Sequence, residues 1–252
     1  MVTIKSKKQI EYMEEACRVV ALTYKKLEEC IKPGMSTWEI DKIAEDTMRS
    51  LGALPAEKGY DVGIKGVPPY PAATCVSVND EVIHGIPSKN KIIKEGDIVS
   101  VDTVALKNGF NGDAARTYVV GKGSKPAYDL LNVTEQAFYE GIKYAVKGNR
   151  IGDVCHAIGE FVKKNGYSVV EEIGGHGIGL EFHEEPFVSY VTPKGSEMVL
   201  VPGMMFTIEP MINEGTPEFY VDEDNGWTVY TDDDGLSAQV EYMVLVKEKS
   251  VE

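Results

Sequence analysis

The sequence predicts an α+β fold in which helices cover one face of a curved antiparallel sheet. Two segments near the start of the chain have helical hydrophobic periodicity, and strand-like runs follow them. The same order, a helix pair and then strands, recurs in the second half. With 252 residues, 43 % hydrophobic and 26 % charged, the chain has the composition of a globular protein with a sizeable core.

The first half is expected to contain two amphipathic helices, a loop and a strand hairpin. Each helix begins with a capping box, Ser6 with Gln9 and Ser36 with Glu39. Asn108-Gly109 is typical of a two-residue hairpin turn. We expect helices through Ile10–Ile31 and Ile40–Leu51, a loop at Gly59–Pro71, and strands at Thr74–Val78, Ile98–Leu106 and Phe110–Val120.

The second half repeats this pattern. Pro126 suits a first helical turn, and this helix is expected to end at Gly148. Asp153 is expected to cap the next helix, which ends at Asn165-Gly166. Strand-like runs follow at Ser168–Ile173, Met205–Met211, Thr228–Thr231 and Ser237–Val246. With no linker visible, we expect a single domain over 1–252, internally duplicated, with halves of about 1–120 and 121–252.

Charge and cysteine usage exclude several classes of function. The formal net charge of −14 repels phosphate backbones and argues against a DNA-binding protein. No apolar run is long enough to span a membrane, and no apolar segment of a secretory signal follows the first lysines. The four cysteines are scattered, which argues against a disulfide scaffold or a zinc site built on paired cysteines. We therefore expect a cytoplasmic protein.

Two aspartates occupy predicted strands, where aspartate is uncommon. If the hairpin turn centres on Asn108-Gly109, Asp113 lies opposite Val104, so Asp102 and Asp113 point to the same face as diagonal neighbours. Two such carboxylates repel each other unless a positive charge lies between them. The alternative is an edge hairpin with its acids in water, which the apolar flanking residues disfavour.

Three histidines have unusual surroundings. Small residues frame His176 in Gly174-Gly-His-Gly-Ile-Gly179, the composition needed where backbone approaches closely. His183 follows seven residues later, and His84 precedes Gly-Ile-Pro87. Any one of them could be a structural histidine, and this is the interpretation that we prefer for the fourth, His156.

Two further acids suggest a metal site. Glu209 and Glu241 are each the ionised group in an apolar strand-like run, where an unpaired carboxylate is costly to bury. Together with Asp102, Asp113 and His176 they form a carboxylate-rich set that suits Mn²⁺, Fe²⁺ or Co²⁺ better than structural zinc. Four carboxylates exceed the needs of one small ion, so we expect two divalent ions that share bridging carboxylates.

At this point the sequence resembles a known family, the type I methionine aminopeptidases, which have the pita-bread metallopeptidase fold. The spacing of the two aspartates, His176 in its glycine frame, Glu209 before a proline, and Ser-Ala-Gln-Val-Glu241 match in order over nearly the whole chain. The absence of a large insertion before the last ligands favours the bacterial form.

The resemblance implies a role for each residue. Asp102 would bind one metal ion, His176 and Glu209 the other, and Asp113 and Glu241 both. A hydroxide shared by the ions would attack the first peptide bond, and Glu209 would also transfer its proton. His183 would stabilise the tetrahedral intermediate, and His84 would contact the scissile amide.

The resemblance also implies an apolar pocket for methionine, followed by a small second residue of the substrate. Its walls would be Tyr70, Cys75, Phe182 and Trp227, residue types that suit contact with sulfur. Each could instead be ordinary core, or for Trp227 a surface aromatic at a strand end. Val67 stands where the family often has a tyrosine, which implies a more open wall.

Two rival functions remain open from the sequence. One is a proline-specific aminopeptidase or dipeptidase of the same fold, which usually carries an additional N-terminal domain and more histidines. The other is a non-catalytic binding protein, which five retained ligands disfavour. The expected partner is the N-terminus of a peptide or nascent chain. Lys5, Lys7 and Lys8 could form a basic patch for ribosome docking, but we prefer to interpret them as a solvated helix start. We expect a monomer.

Overall fold

The computed structural model describes residues 2–252 and contains four helices and fourteen strands in this part of the chain. The helices are α1 (Lys7–Cys30), α2 (Thr37–Ser50), α3 (Lys125–Ile142) and α4 (Ile151–Lys164). The strands of the first half are β1 (Leu54–Pro55), β2 (Cys75–Val78), β3 (Glu81–Ile83), β4 (Ile98–Lys107) and β5 (Phe110–Val119). Those of the second half are β6 (Ser168–Val169), β7 (Gly175–Gly177), β8 (Glu184–Val188), β9 (Met205–Ile208), β10 (Met211–Asn213), β11 (Phe219–Val221), β12 (Val229–Thr231), β13 (Ser237–Gln239) and β14 (Glu241–Leu245).

One eight-stranded sheet organises the molecule. Its order is β1-β4-β5-β14-β9-β7-β8, with β2 paired to the same edge of β4 as β1. Two three-stranded sheets, β13-β10-β6 and β11-β12-β3, complete the strand arrangement, and the pairings are antiparallel. The predicted α+β class with an antiparallel sheet is therefore confirmed.

Each helix pair covers its own hydrophobic core. The apolar faces of α1 and α2 pack on β2, β4 and β5, around Tyr24, Leu27 and Ile40. Those of α3 and α4 pack on the later strands, around Leu130 and Ile158. Because the sheet is continuous between the two cores, the central strands β5, β14 and β9 join the two halves of the molecule.

The local signals were accurate at the start of the chain and less so in the middle. The capping boxes at Ser6 and Ser36 are present as predicted. Helix α3 ends at Ile142 and not at Gly148, because a turn replaces its last predicted residues. Asp153 is not the cap of α4: Arg150 is, and the Asp153 carboxylate accepts a hydrogen bond from the Arg150 backbone N–H at 2.8 Å.

The predicted runs Met205–Met211 and Ser237–Val246 are each divided into two strands, as β9 with β10 and β13 with β14. Five further strands were not predicted: β1, β3, β7, β8 and β11. Each has two to five residues, too few for an alternating pattern to show. Among the residues described, no helix is both long and apolar enough to cross a membrane.

Candidate metal centre and active site

Strand register places three carboxylates on one face of the main sheet. Val104 is the partner of Asp113 and Ala115 the partner of Asp102, as the hairpin turn predicted. From the neighbouring strand, Glu241 pairs with Ala115 on its other side. Directly paired residues point to the same face, so the Glu241 carboxylate joins the two aspartates.

The next two strands add a histidine and a fourth carboxylate. The Thr207 hydroxyl accepts a hydrogen bond from the His176 backbone N–H at 2.9 Å and donates one to Glu209 Oε1 at 2.7 Å. His176 Nε2 lies 3.6 Å from Glu209 Oε1 and 3.8 Å from Asp113 Oδ2. Both distances are too long for a hydrogen bond, so the imidazole nitrogen faces the acids without bonding to them.

The backbone around His176 fixes both its position and its tautomer. Its Nδ1 lies 2.9 Å from the Gly177 carbonyl oxygen, which can only accept, so Nδ1 carries the proton and the Nε2 lone pair faces the acids. A Cβ atom added at Gly175 would lie 2.3 Å from the backbone carbonyl oxygen of Thr207. One added at Gly177 would lie 2.0 Å from the backbone carbonyl oxygen of Glu185. The glycine frame is therefore required by close backbone packing.

The four carboxyl groups cannot all be ionised without a cation between them. Burial raises the pKa of Asp102 to about 7 and that of Glu209 to about 8. Burial and then the neighbouring carboxylates raise the pKa of Asp113 and of Glu241 well above the usual range. Among residues 2–252, no lysine or arginine lines this site to offset the charge.

These residues fit a divalent metal ion. Asp113, His176 and Glu241 each offer a ligand atom, and the three atoms lie within 4.8 Å of one another. In the described part of the chain, Oδ1 of Asp102 and of Asp113 is buried without a hydrogen-bond partner. Unsatisfied carboxylate oxygens around a neutral imidazole nitrogen are what a hard or borderline divalent cation binds.

The acids line one side of a cavity of about 240 Å³. The structure brings together every candidate site residue of the sequence analysis at this cavity. Its lining includes Tyr70, Cys75, His84, Asp102, Asp113, His176, Phe182, His183, Glu209, Trp227 and Glu241. His156 lies outside it, on α4.

The two remaining cavity histidines are neutral at pH 7. Burial away from water lowers the pKa of His84 to about 4. Burial, and to a smaller extent the charges of His176 and His84, lowers the pKa of His183 to about 3. The Tyr60 hydroxyl lies 2.7 Å from His183 Nδ1. When this hydroxyl donates, the His183 proton is on Nε2, which makes that nitrogen a hydrogen-bond donor.

Aromatic rings form the other side of the cavity. The rings of Tyr70 and Trp227 meet edge to face at 5.1 Å, and Trp227 donates its indole N–H to the Pro68 carbonyl at 2.7 Å. Trp227 is 7 % exposed, so it is not a surface aromatic. Val67 packs against this aromatic cluster but does not line the cavity. Tyr60, which belongs to the same loop, lines the cavity.

Sequence reasoning missed four polar residues of the site: Glu57, Tyr60, Thr207 and Gln239. Thr207 precedes Glu209 by two residues on a strand, so alternation alone places it on the same face. Glu57 and Tyr60 belong to a loop, whose path no periodicity describes.

Comparisons with known proteins agree with this geometry. The model of metallopeptidase family M24 matches residues 11–248. The chain therefore belongs to metallopeptidase family M24, and its fold is the pita-bread fold.

Within that family, the matched relatives include methionine aminopeptidases. The methionine aminopeptidase of Clostridium acetobutylicum is 43 % identical over 252 residues, which cover 100 % of this chain and 98 % of that protein. The methionine aminopeptidase from Thermotoga maritima, for which a crystal structure exists, is 40 % identical in sequence. Its structure matches this one with a TM-score of 0.95, and the match covers 100 % of this chain and 98 % of that one. A prolidase from Pyrococcus furiosus is 27 % identical, with a TM-score of 0.77; the match covers 99 % of this chain and 64 % of the prolidase.

Proposed function

We propose that this protein is a methionine aminopeptidase, which removes the N-terminal methionine from peptides and nascent proteins when the second residue is small. The observation that carries the proposal is the cavity itself. It joins a group of four carboxyls and a neutral imidazole to a pocket with aromatic walls. The full-length similarity to methionine aminopeptidases supports the same conclusion. The protein is a metal-dependent aminopeptidase.

We infer that Asp102, Asp113, His176, Glu209 and Glu241 hold two divalent ions, and that Mn²⁺, Fe²⁺ and Co²⁺ all suit them. Asp113 and Glu241 lie centrally on the shared face, which suits the shared ligands. A bound divalent ion polarises a carbonyl group and lowers the pKa of water.

Glu209 is suited to proton transfer. Its carboxyl group lines the cavity, where a positioned carboxylate can accept a proton from water and release it to a leaving group. The Thr207 hydroxyl donates a hydrogen bond to Glu209 Oε1 at 2.7 Å, which holds that oxygen in place. The Tyr190 hydroxyl accepts a hydrogen bond from the Glu209 backbone N–H at 2.6 Å. Glu209 would take a proton from the attacking water and give it to the leaving amine.

His183 and His84 would act on the reacting peptide bond. With Tyr60 bonded to Nδ1, His183 offers Nε2–H to the oxygen of the scissile carbonyl as negative charge develops there. The His84 ring lies edge-on to that of Trp227, with 5.9 Å between the ring centroids, and would contact the scissile amide. The methionine side chain would enter between Tyr70, Cys75 and Trp227, with Phe182 at the edge.

A proline-directed peptidase is the second candidate, because the prolidase match extends over the whole fold. The identity and TM-score are both lower than for the methionine aminopeptidase structure. We therefore place this candidate second and distinguish it by product.

We also propose a single catalytic domain over 1–252, with halves of about 1–120 and 121–252, acting as a cytoplasmic monomer without DNA or membrane partners. Nascent chains are the expected substrates in the cell. Lys5 does not contribute a basic patch for ribosome docking, because its side chain is 3 % exposed and pairs with Glu184. Only Lys7 and Lys8 remain for such a role.

The test is product analysis with Met-Ala-Ser, Met-Leu-Ser and Ala-Pro-Ser after the protein is loaded with Mn²⁺ or Co²⁺. We expect free methionine from Met-Ala-Ser at a kcat/KM at least about 10-fold above that for Met-Leu-Ser. Release of alanine from Ala-Pro-Ser in preference to methionine would support the second candidate. Equal rates for the two methionine peptides would contradict the small-residue rule.

A further inference from the structure

The loop that carries His183 is held at its two ends by different parts of the molecule. This His183 loop consists of residues 178–183, between β7 and β8. Near its start, the Gly179 carbonyl accepts hydrogen bonds from the backbone N–H of Asn111 at 3.0 Å and from the Asn111 side chain at 3.1 Å. His183 lies at the other end, directly before Glu184, so the contacts that hold Glu184 also hold the backbone of His183.

Glu184 is held by a buried ion pair with Lys5. The two side chains are 11 % and 3 % exposed. The Lys5 ammonium also donates to the Thr3 hydroxyl, which donates in turn to the Glu184 carboxylate. A Cβ atom added at Gly179 would lie 2.3 Å from Lys5 Nζ and 2.6 Å from Glu184 Oε1. The bare backbone at Gly179 therefore leaves the space that the ion pair fills.

Lys5 belongs to a separate segment of the chain, the residues that precede α1. Its backbone N–H donates to the Gly203 carbonyl at 2.8 Å, and Val2 packs against the core under α3 and α4. Lys5 is thus fixed to the body of the fold by its backbone and to the His183 loop by its ammonium. Both charges of the pair are largely removed from water. Removing Lys5 would leave Glu184 buried without a counter-charge, and the loop would have to move to hydrate it.

The contacts of the His183 ring leave it little freedom. The ring stacks on that of Phe182, with 4.3 Å between the centroids and 14° between the planes, and Nδ1 lies 2.7 Å from the Tyr60 hydroxyl. Its centroid is 4.2 Å from that of the His176 ring. These contacts orient the imidazole, and the ion pair at the next residue fixes the backbone from which it projects.

We propose that Lys5 is a positioning residue for the reaction, which holds the His183 loop through Glu184 and so keeps the imidazole in reach of the scissile carbonyl. The inference rests on the proposed function. A displacement of about 1 Å in a group that acts on the transition state can cost about 100-fold in rate. Loss of the ion pair should therefore lower kcat. Neither Lys5 nor Glu184 lines the cavity, so bound metal should not change.

The experiment measures methionine release from Met-Ala-Ser by metal-loaded wild type, Lys5→Met, His183→Ala and the double variant, with kcat corrected for the fraction of protein that holds metal. We expect Lys5→Met to lower kcat by about tenfold or more, with KM within about threefold of wild type and unchanged bound metal. In the His183→Ala background the same substitution should change kcat by less than about twofold, because the imidazole through which it acts is already absent.

Lys42→Met is the matched control, because it makes the same change in an exposed ion pair, that of Lys42 with Asp46 on α2. Its kcat should equal that of the parent protein in both backgrounds. If Lys5→Met does not fold, Glu184→Gln replaces it, because the amide oxygen still accepts from Lys5 while the charge is lost. Its effect on kcat should be smaller, about threefold or more, and should likewise vanish in the His183→Ala background.

The outcomes separate the two proposals. An unchanged kcat or a loss of metal in Lys5→Met would overturn the role of Lys5 and leave the proposed function intact. A fall in kcat by the same factor with and without His183 would do the same, since the ion pair would then only stabilise the fold. Full kcat in His183→Ala would also overturn it. Failure of the metal-loaded wild type to release methionine would instead overturn the proposed function.

Discussion

The two sides of the cavity are built differently. The acidic side stands on adjacent strands of one sheet, where register fixes the positions of Asp102, Asp113 and Glu241. The aromatic side is assembled from separate segments: Tyr70 from a loop, Cys75 from the first residue of β2, and Trp227 from the segment before β12. It is held by contacts such as the hydrogen bond from the Trp227 indole N–H to the Pro68 carbonyl. The first is an array of acidic groups on paired strands, and the second is a largely aromatic wall.

This difference teaches where chemistry and specificity reside. Charge must be placed within fractions of an ångström to bind an ion, and neighbouring strands provide that accuracy. A side-chain pocket tolerates small shifts, because dispersion and burial vary gradually with distance. We therefore expect changes on the acidic side to abolish activity and changes on the aromatic side to redirect it.

The largest effect is expected from removing a central residue of the proposed metal site. Asp113→Ala should lower kcat/KM by more than about 100-fold, because even the outer partners of metal ligands cost 10–100-fold when removed. Bound divalent metal, measured by elemental analysis, should fall by at least half. The variant should still fold, because the substitution removes a carboxyl that repels its neighbours. Full metal content with full activity would contradict the expectation that changes on the acidic side abolish activity.

The two neighbouring histidines should differ in kind. His183→Ala should lower kcat by roughly 10²–10³ while metal content stays normal, because a donor to the developing oxyanion acts only in the transition state. His176→Ala should lose metal. Loss of metal from His183→Ala, or an unchanged kcat, would show that the role proposed for His183 is wrong.

A smaller effect is expected on the aromatic side. Trp227→Leu removes an edge-to-face partner of Tyr70 and a pocket wall. We expect kcat/KM for Met-Ala-Ser to fall about 10-fold, mainly through KM, with metal content unchanged. A loss of bound metal in this variant would mean that the two sides of the cavity are not independent.

The smallest effect concerns stability without metal. The pKa values of Asp102, about 7, and Glu209, about 8, exceed their ordinary values of 3.8 and 4.5. Between about pH 4 and pH 8 the folded metal-free protein therefore binds more protons than the unfolded chain, so its stability falls as the pH rises. Thermal unfolding in chelator should show a Tm lower at pH 8 than at pH 5.5 by on the order of 5 °C.

Added Mn²⁺ should remove most of this pH dependence, because the ion replaces the protons as the positive charge among the carboxylates. An equal or higher Tm at pH 8 in chelator would contradict the electrostatic description of the acidic side.

The contrast between the two sides also explains what could be predicted from the sequence. The face shared by Asp102 and Asp113 followed from a two-residue turn and the alternation of strands, and the observed register confirms it. The five candidate ligands stood out because polar residues are conspicuous in apolar strands, and the pita-bread fold was implied by the resemblance to a known family. Glu57 and Tyr60 could not be placed, because no periodicity describes the path of a loop. Helix α3 was predicted to be too long, because a turn follows Ile142 before the stop signal at Gly148 is reached.

The most direct test of the account is methionine release from Met-Ala-Ser by protein that has been exhaustively chelated and then titrated with Mn²⁺ or Co²⁺, with bound metal measured on the same samples. The five-residue site predicts no release without metal, and recovery that follows the bound ions up to two per chain. Full release from protein shown to contain no divalent metal would contradict it.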